Sequence, residues 1–307
     1  MRGIILAGGT GTSRPFAQPA GHPLVPVFDK PMIYYPLSTL MLAGIREVLV
    51  IGAPHDAPAL QRLLRDGSHL GMTIRHAVQR QPRGSAQALV VGASFAAGGR
   101  VALALGDHLL HGPGLGSTLT RHTRVTGAHI FAHRVRDPRG YGVVELDRDG
   151  DVLSIEEKPE HPRSDHAVPG LYFYDETAVD RAAALTPRAD GRLEITDLNE
   201  GYRAAGRLRV TVLGPEAAWL DTGSFDTLSA ASEYVRTVEV RRGYKIGCVE
   251  EVAWRHGWID DAELSALGRL AGRTGYGEYL RLLGGDRRDR TVVELPTGSR
   301  SATRTAG

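Results

Sequence analysis

Residues Gly3 to Ala7 are an unbroken apolar run that stops at Gly8 and Gly9. A strand with no polar alternation must be covered on both faces, as parallel strands inside α/β sheets are. Further strand-like segments fall at Glu47 to Ile51, at Met72 to Ala77 and at Val101 to Leu105. Helical stretches fall between these runs: Met32 to Ala43 with Gly44 as its stop, Ala57 to Arg65 before Asp66-Gly67, and the small-residue stretch Ser85 to Phe95. This alternation predicts an α/β protein with a three-layer, doubly wound, mostly parallel sheet and helices on both faces.

The middle of the chain is less regular. Short strands are expected at His129 to Val135, Tyr141 to Leu146, Val152 to Ile155, Leu171 to Tyr174 and Arg209 to Leu213, with a helix over Thr196 to Ala205. Helices follow at Phe225 to Val240, Asp261 to Leu270 and Tyr276 to Leu283. The chain is expected to divide into a core over 1–240, a C-terminal helical segment over 241–283 and a polar, disordered tail over 284–307.

Composition narrows the function. Lys and Arg total 37 against 35 Asp and Glu, a balance that implies neither a nucleic-acid face nor an anionic-membrane surface. Only Lys30, Lys158 and Lys245 are lysines. The single Cys248 allows no intrachain disulfide and fits a reducing cytoplasm. No apolar run approaches the ~20 residues of a membrane span, and the N-terminal run is too short for a signal peptide. His108 and His111, like His129 and His133, lack the context of a zinc motif.

Leu6, Ala7, Gly8, Gly9, Thr10, Gly11 and Thr12 form a glycine-rich turn at a strand end. Glycine lets backbone N–H groups approach a phosphate, and open α/β sheets bind ligands at this edge. The spacing is neither that of a P-loop nor G-x-G-x-x-G. Asp107 and Asp221 each follow an apolar run beside a glycine, where a carboxylate can face a cleft or simply cap a turn.

These residues carry a resemblance. Gly3 to Thr12, Pro26 to Leu37, Leu105-Gly106-Asp107, Tyr141 to Glu145, Glu156 to Pro159, Gly170 to Tyr174, Leu193 to Thr196, Trp219 to Gly223 and Thr274 to Gly277 together resemble the sugar-1-phosphate nucleotidylyltransferases, the thymidylyltransferases acting on glucose-1-phosphate most of all. The similarity covers roughly residues 1 to 283. It implies that a sugar-phosphate oxygen attacks the α-phosphorus of dTTP, yielding dTDP-glucose and pyrophosphate. It also implies Mg²⁺ on Asp107 and Asp221, and a cytoplasmic homotetramer with C-terminal aromatics such as Trp254, Trp258, Tyr276 and Tyr279 at its contacts. Base recognition maps onto Gln79, Pro82 and Gly84, with Gly106 beside the nucleotide. The sugar side maps onto Tyr141, Gly142, Glu157, Lys158, Gly170, Tyr172, Arg192 and Glu194.

The departures fall on cations. Where the family loop carries an Arg there is Ser13, with Arg14 one residue late. His22 stands in place of a Lys, and Asp190 in place of an Arg that binds the sugar phosphate, with Arg192 two residues on. His108 replaces the Asn that usually follows the metal Asp, and Pro169 replaces a Thr. Two readings follow. Either Arg14, His22 and Arg192 take over the catalytic charges, or the chain binds a nucleotide or nucleotide-sugar after losing or changing the reaction.

Overall fold

The computed structural model describes residues 1–8 and 22–285. Its strands are β1 (Arg2–Ala7), β2 (Pro26–Val27), β3 (Lys30–Pro31), β4 (Glu47–Gly52), β5 (Thr73–Val78), β6 (Val101–Leu105), β7 (His108–His111), β8 (Ala128–Arg134), β9 (Gly142–Leu146), β10 (Val152–Glu157), β11 (His166–Ala167), β12 (Leu171–Tyr174), β13 (Leu208–Val212) and β14 (Ala218–Asp221). The main sheet runs β10-β9-β11-β8-β12-β6-β1-β4-β5, and β13 pairs with β8. The β6-β1-β4-β5 part is wholly parallel. Its strands therefore end on one edge, at Leu105, Ala7, Gly52 and Val78. Strand β12 enters antiparallel between β6 and β8.

The unbroken apolar runs are explained by two buried faces. In β1, Ile5 and Ala7 join one core with Leu37, Leu40 and Met41 of the helix Tyr34–Leu42. Ile4 and Leu6 join the other, with Leu89, Phe95, Leu198 and Tyr202. Adjacent residues point to opposite faces, so both layers must be apolar. A third cluster, with Val27, Tyr35, Leu109 and Val235, seats the helix Phe225–Arg242. That helix starts on a Ser224–Thr227 capping box and stops at Gly243.

The helix expected over Ser85 to Phe95 is two, Gln87–Val91 and Ala93–Ala96, with Gly92 between them. A Cβ on Gly92 would lie 2.6 Å from Ile4, so the break sits where the helix touches the sheet most closely. The short strands β2, β3, β7 and β11, and the helices Leu115–Arg121 and Ala178–Ala183, were not expected. The C-terminal helices share the first core: Val249, Trp254, Leu264 and Leu280 pack in it. Residues 286–307, most of the expected tail, lie outside the described residues.

His129 on β8 is buried and stacks on His122 at 3.6 Å. Burial, and then the neighbouring His122, push its pKa down to about 4. The folded chain thus refuses a proton that the unfolded chain accepts near 6.5. Stability must fall as pH drops from about 6.5 to about 4. The expected outcome is a shallower loss for His129→Asn across that window, read from urea midpoints at pH 7 and pH 5. Equal slopes in the two proteins would refute this assignment.

Candidate active site

The parallel strand ends build one side of the site. Gly106 N–H donates to the Leu6 carbonyl at 2.9 Å, and a Cβ on Gly106 would lie 2.8 Å from Ala7 Cα. Gln79, which follows β5, donates its N–H to Gly52 at 2.9 Å and is 4% exposed. A Cβ on Gly8 would lie 3.0 Å from Gln79 Oε1. Gly9, Thr10, Gly11, Thr12 and Arg14 lie outside the described residues.

The loop after β5 is tied to the segment before the helix Ile195–Ala204. Gln87 Oε1 accepts from Arg83 N–H at 2.9 Å and from Gln79 Nε2 at 2.7 Å. The backbone N–H makes Oε1 the acceptor, so the Gln79 amide nitrogen is committed and its Oε1 faces the Gly8 side. Gly84 has φ +85°, and a Cβ there would lie 2.2 Å from the Leu193 carbonyl. Only glycine meets both conditions without moving the loop. Pro82 is exposed in the same loop.

The two carboxylates come together through β7 and β14. These strands pair antiparallel, with His108 opposite Asp221. Asp107, just before β7, and Asp221, at the end of β14, thereby meet. Asp107, His108 and Asp221 each offer a ligand atom, all within 4.8 Å of one another, and the three residues are half-buried. Thr222 holds the junction: its N–H and Oγ1 donate to the Asp107 carbonyl at 3.0 and 2.8 Å. Asp221 Oδ1 accepts from Gly223 N–H at 2.8 Å, and Oδ2 from Tyr141 hydroxyl at 3.4 Å. Burial and then that carboxylate push the Tyr141 phenol up to about 12.

His22 sits beside this junction, its Nε2 donating to the Thr222 carbonyl at 2.6 Å. Here the imidazole braces the turn between the carboxylates.

Gly142 lies opposite Glu157 in the β9–β10 ladder. Glu157 accepts from Thr196 hydroxyl at 2.5 Å. Lys158 is exposed, with φ +48°. Glu194 is 7% exposed and pairs with Arg192 at 2.8 Å. Burial raises the Glu194 pKa, against the Arg192 guanidinium. Asp190 turns inward on its own loop and accepts from Arg192 N–H at 3.0 Å. Tyr172 is 5% exposed, stacked on Tyr174. Burial foremost, and then Glu157, Glu194 and Asp107, hold its phenol far above the ordinary value. Gly170 N–H donates to His108 Nδ1 at 2.8 Å.

Contacts link several of the expected residues within the described chain: Gly8 lies against Gln79, Tyr141 hydrogen-bonds Asp221, Gly170 hydrogen-bonds His108 and Gly142 pairs with Glu157. Reasoning from sequence missed Thr222, Thr196 and Trp219. Each lies inside a quoted motif, but a Thr that braces a neighbouring carboxylate has no spacing signal. The ring of Trp219 stands edge-on to His108 and Tyr141, at 5.5 and 4.7 Å. The C-terminal aromatics are used within the chain. Trp254 Nε1 donates to Asp261, Tyr279 hydroxyl to Glu251 and Tyr276 hydroxyl to Glu250.

Known proteins resemble the chain over most of its length. A nucleotidyl transferase family model matches residues 2–238. The glucose-1-phosphate thymidylyltransferase of Mycolicibacterium smegmatis is 53% identical over 281 residues, covering 91% of this chain and 98% of that protein. The same-named protein of an Actinoplanes species is 52% identical over 292 residues, covering 95% and 96%. A structure from Bacillus anthracis, described as a glucose-1-phosphate thymidylyltransferase in complex with sucrose, superposes with a TM-score of 0.70 at 31% identity, covering 76% of this chain and 95% of that one. Matched over most of its length by the family model and by relatives at half identity or more, the chain belongs to the nucleotidyl transferase family.

Proposed function

We propose that the chain transfers the thymidylyl group of dTTP to glucose-1-phosphate. A phosphate oxygen of the sugar attacks the α-phosphorus, the bond to the bridging oxygen breaks, and pyrophosphate leaves with dTDP-glucose as the other product. The observation that carries this reading is the convergence of Asp107 and Asp221 at the carboxyl edge of the parallel strands, beside Gly8 and Gly106.

Asp107 and Asp221 suit a hard divalent cation, because both offer carboxylate oxygen, and Asp107 is 44% exposed toward the cleft. Mg²⁺ held there would neutralise phosphate charge and orient the reacting groups. The chain's own residues supply the rest. Gln79 offers Oε1 as acceptor to the N–H of a pyrimidine edge, since its Nε2 already donates to Gln87. Lys158, the exposed lysine by the Glu157 strand end, supplies a cation to the sugar phosphate. Glu194 and Glu157 accept from sugar hydroxyls. Arg192 holds Glu194 and is not free to replace the family's missing Arg.

Gly84→Ala tests the base loop. A Cβ there must displace the loop from the Leu193 carbonyl. Misplacement of about 1 Å costs on the order of 10²-fold, so kcat/KM for dTTP should fall by about that factor. Unchanged kinetics for dTTP would remove the loop from base recognition.

An assembly fits the exposed apolar residues of the C-terminal helices, where Val240, Leu270 and Leu282 are each about 70% exposed. We take it to be a homotetramer, and light scattering at micromolar concentration decides this. No helix among the described residues is long and apolar enough to cross a membrane. With one buried cysteine, the chain suits the cytoplasm.

Pyrophosphate release from dTTP, glucose-1-phosphate and Mg²⁺ tests the whole reading. Turnover that disappears without the sugar phosphate supports it. Binding of dTTP or dTDP-glucose by calorimetry, with no pyrophosphate released, would overturn it in favour of a binding protein.

A further inference from the structure

We infer that His108 is a positioning residue for Asp107: the Gly170 backbone fixes its ring so that it presents an N–H to the Asp107 carboxylate and does not itself bind the cation. This rests on the metal reading of Asp107 and Asp221.

Gly170 N–H donates to His108 Nδ1 at 2.8 Å. A ring nitrogen that accepts a hydrogen bond holds its lone pair there, so the neutral imidazole carries its hydrogen on Nε2. Nε2 is the atom that faces Asp107, 3.7 Å from Oδ1. The ring cannot easily turn over. Its side chain is 13% exposed, and Trp219 stands against it at 5.5 Å. Gly170 is held in turn, its carbonyl accepting from Leu105 N–H at 2.8 Å. A Cβ on Gly170 would lie 2.6 Å from Nδ1, so glycine is needed for the ring to seat.

By distance alone, His108 qualifies as a third ligand beside Asp107 and Asp221. The hydrogen bonding decides otherwise. Ligation through Nε2 needs the lone pair on Nε2 and the hydrogen on Nδ1, which would then meet the Gly170 N–H, donor against donor. The protein thus contributes two hard oxygen ligands, and the histidine orients one of them. Because Gly170 directly precedes β12, the sugar-side strand is coupled to the carboxylate that holds the cation.

The test measures metal binding on the substrate-free chain, Mn²⁺ by electron paramagnetic resonance and Zn²⁺ by calorimetry, with melting followed alongside. His108→Phe keeps a ring against Trp219 and removes the donor. It should weaken Mn²⁺ binding about 10- to 100-fold, and Zn²⁺ binding by the same factor. His108→Asn, whose amide carries both an acceptor and a donor, should recover most of the loss, and recovery separates positioning from ring packing. A loss confined to Zn²⁺ would make His108 a ligand and overturn the inference. Unchanged affinity for both metals in His108→Phe would overturn it too, while leaving the metal reading standing. Wild-type Mn²⁺ binding no tighter than that of Asp107→Asn would overturn the metal reading, and this inference with it.

Discussion

Asp107→Asn is expected to lower kcat by at least about 10²–10³-fold, the usual cost of one lost charge contact to a phosphoryl transition state. Stability should change little, within about 0.5 kcal/mol. The structure separates the two effects. It is the Asp107 carbonyl that holds the Thr222 turn, and the substitution leaves that carbonyl intact. The side chain is 44% exposed and accepts no hydrogen bond from Thr222. Pyrophosphate release gives kcat, and thermal melting gives stability. Asp221→Asn should cost as much, and the double variant little more than either single one, because two ligands to one centre act as a unit. Near-normal kcat in Asp107→Asn, with melting unchanged, would take Asp107 out of the chemistry.

The largest stability effect is expected at Glu239. It is 6% exposed on the helix Phe225–Arg242. Its Oε1 accepts from Lys30 Nζ at 2.8 Å and from Ile246 N–H at 2.9 Å, and its Oε2 from Lys245 Nζ at 2.6 Å. Lys30 is itself 2% exposed, with Asp29 as its other partner at 2.6 Å. Breaking a buried ion pair by removing one partner costs about 3–5 kcal/mol, because the charge left behind stays desolvated. Glu239→Ala leaves two lysines short of a partner and one buried N–H unsatisfied, so a loss in that range is expected from urea midpoints. Glu239→Gln can still accept from Ile246 N–H, so it should fall between Ala and wild type. A loss under about 1 kcal/mol for Glu239→Ala would mean that Asp29 alone carries both lysines, contrary to the accounting for buried charge.

This network changes what the rare lysines mean. Two of the three, Lys30 and Lys245, form an ion-paired cross-link between the β2–β3 hairpin and the end of the helix Phe225–Arg242, through Asp29 and Glu239. Lys158, by contrast, is exposed. His22, which the resemblance sets where the family carries a lysine, has a local role in this structure. The imidazole reaches the Thr222 carbonyl and stabilises the turn that joins the two carboxylates.

Much of the fold was legible in the residues. The strands with unbroken apolar runs were, because burial on both faces leaves no room for polar alternation. Strand β6 matches its expected span residue for residue, as do β12 and the helix Asp261–Leu270. Asp107 and Asp221 stood out singly, by their place after apolar runs. What no local pattern contains is their meeting. It depends on β7 and β14, two four-residue strands from distant parts of the chain, which become strands only because they pair. The tertiary structure likewise decided that Arg192 serves Glu194, and that Glu250 and Glu251 lie buried against Tyr276 and Tyr279, where acidic residues in sequence suggest a solvated helix face. The physical reason is the same in each case. Burial patterning is a property of adjacent residues, whereas the partner of a charge is set by whichever distant segment the packed core brings within a few ångströms.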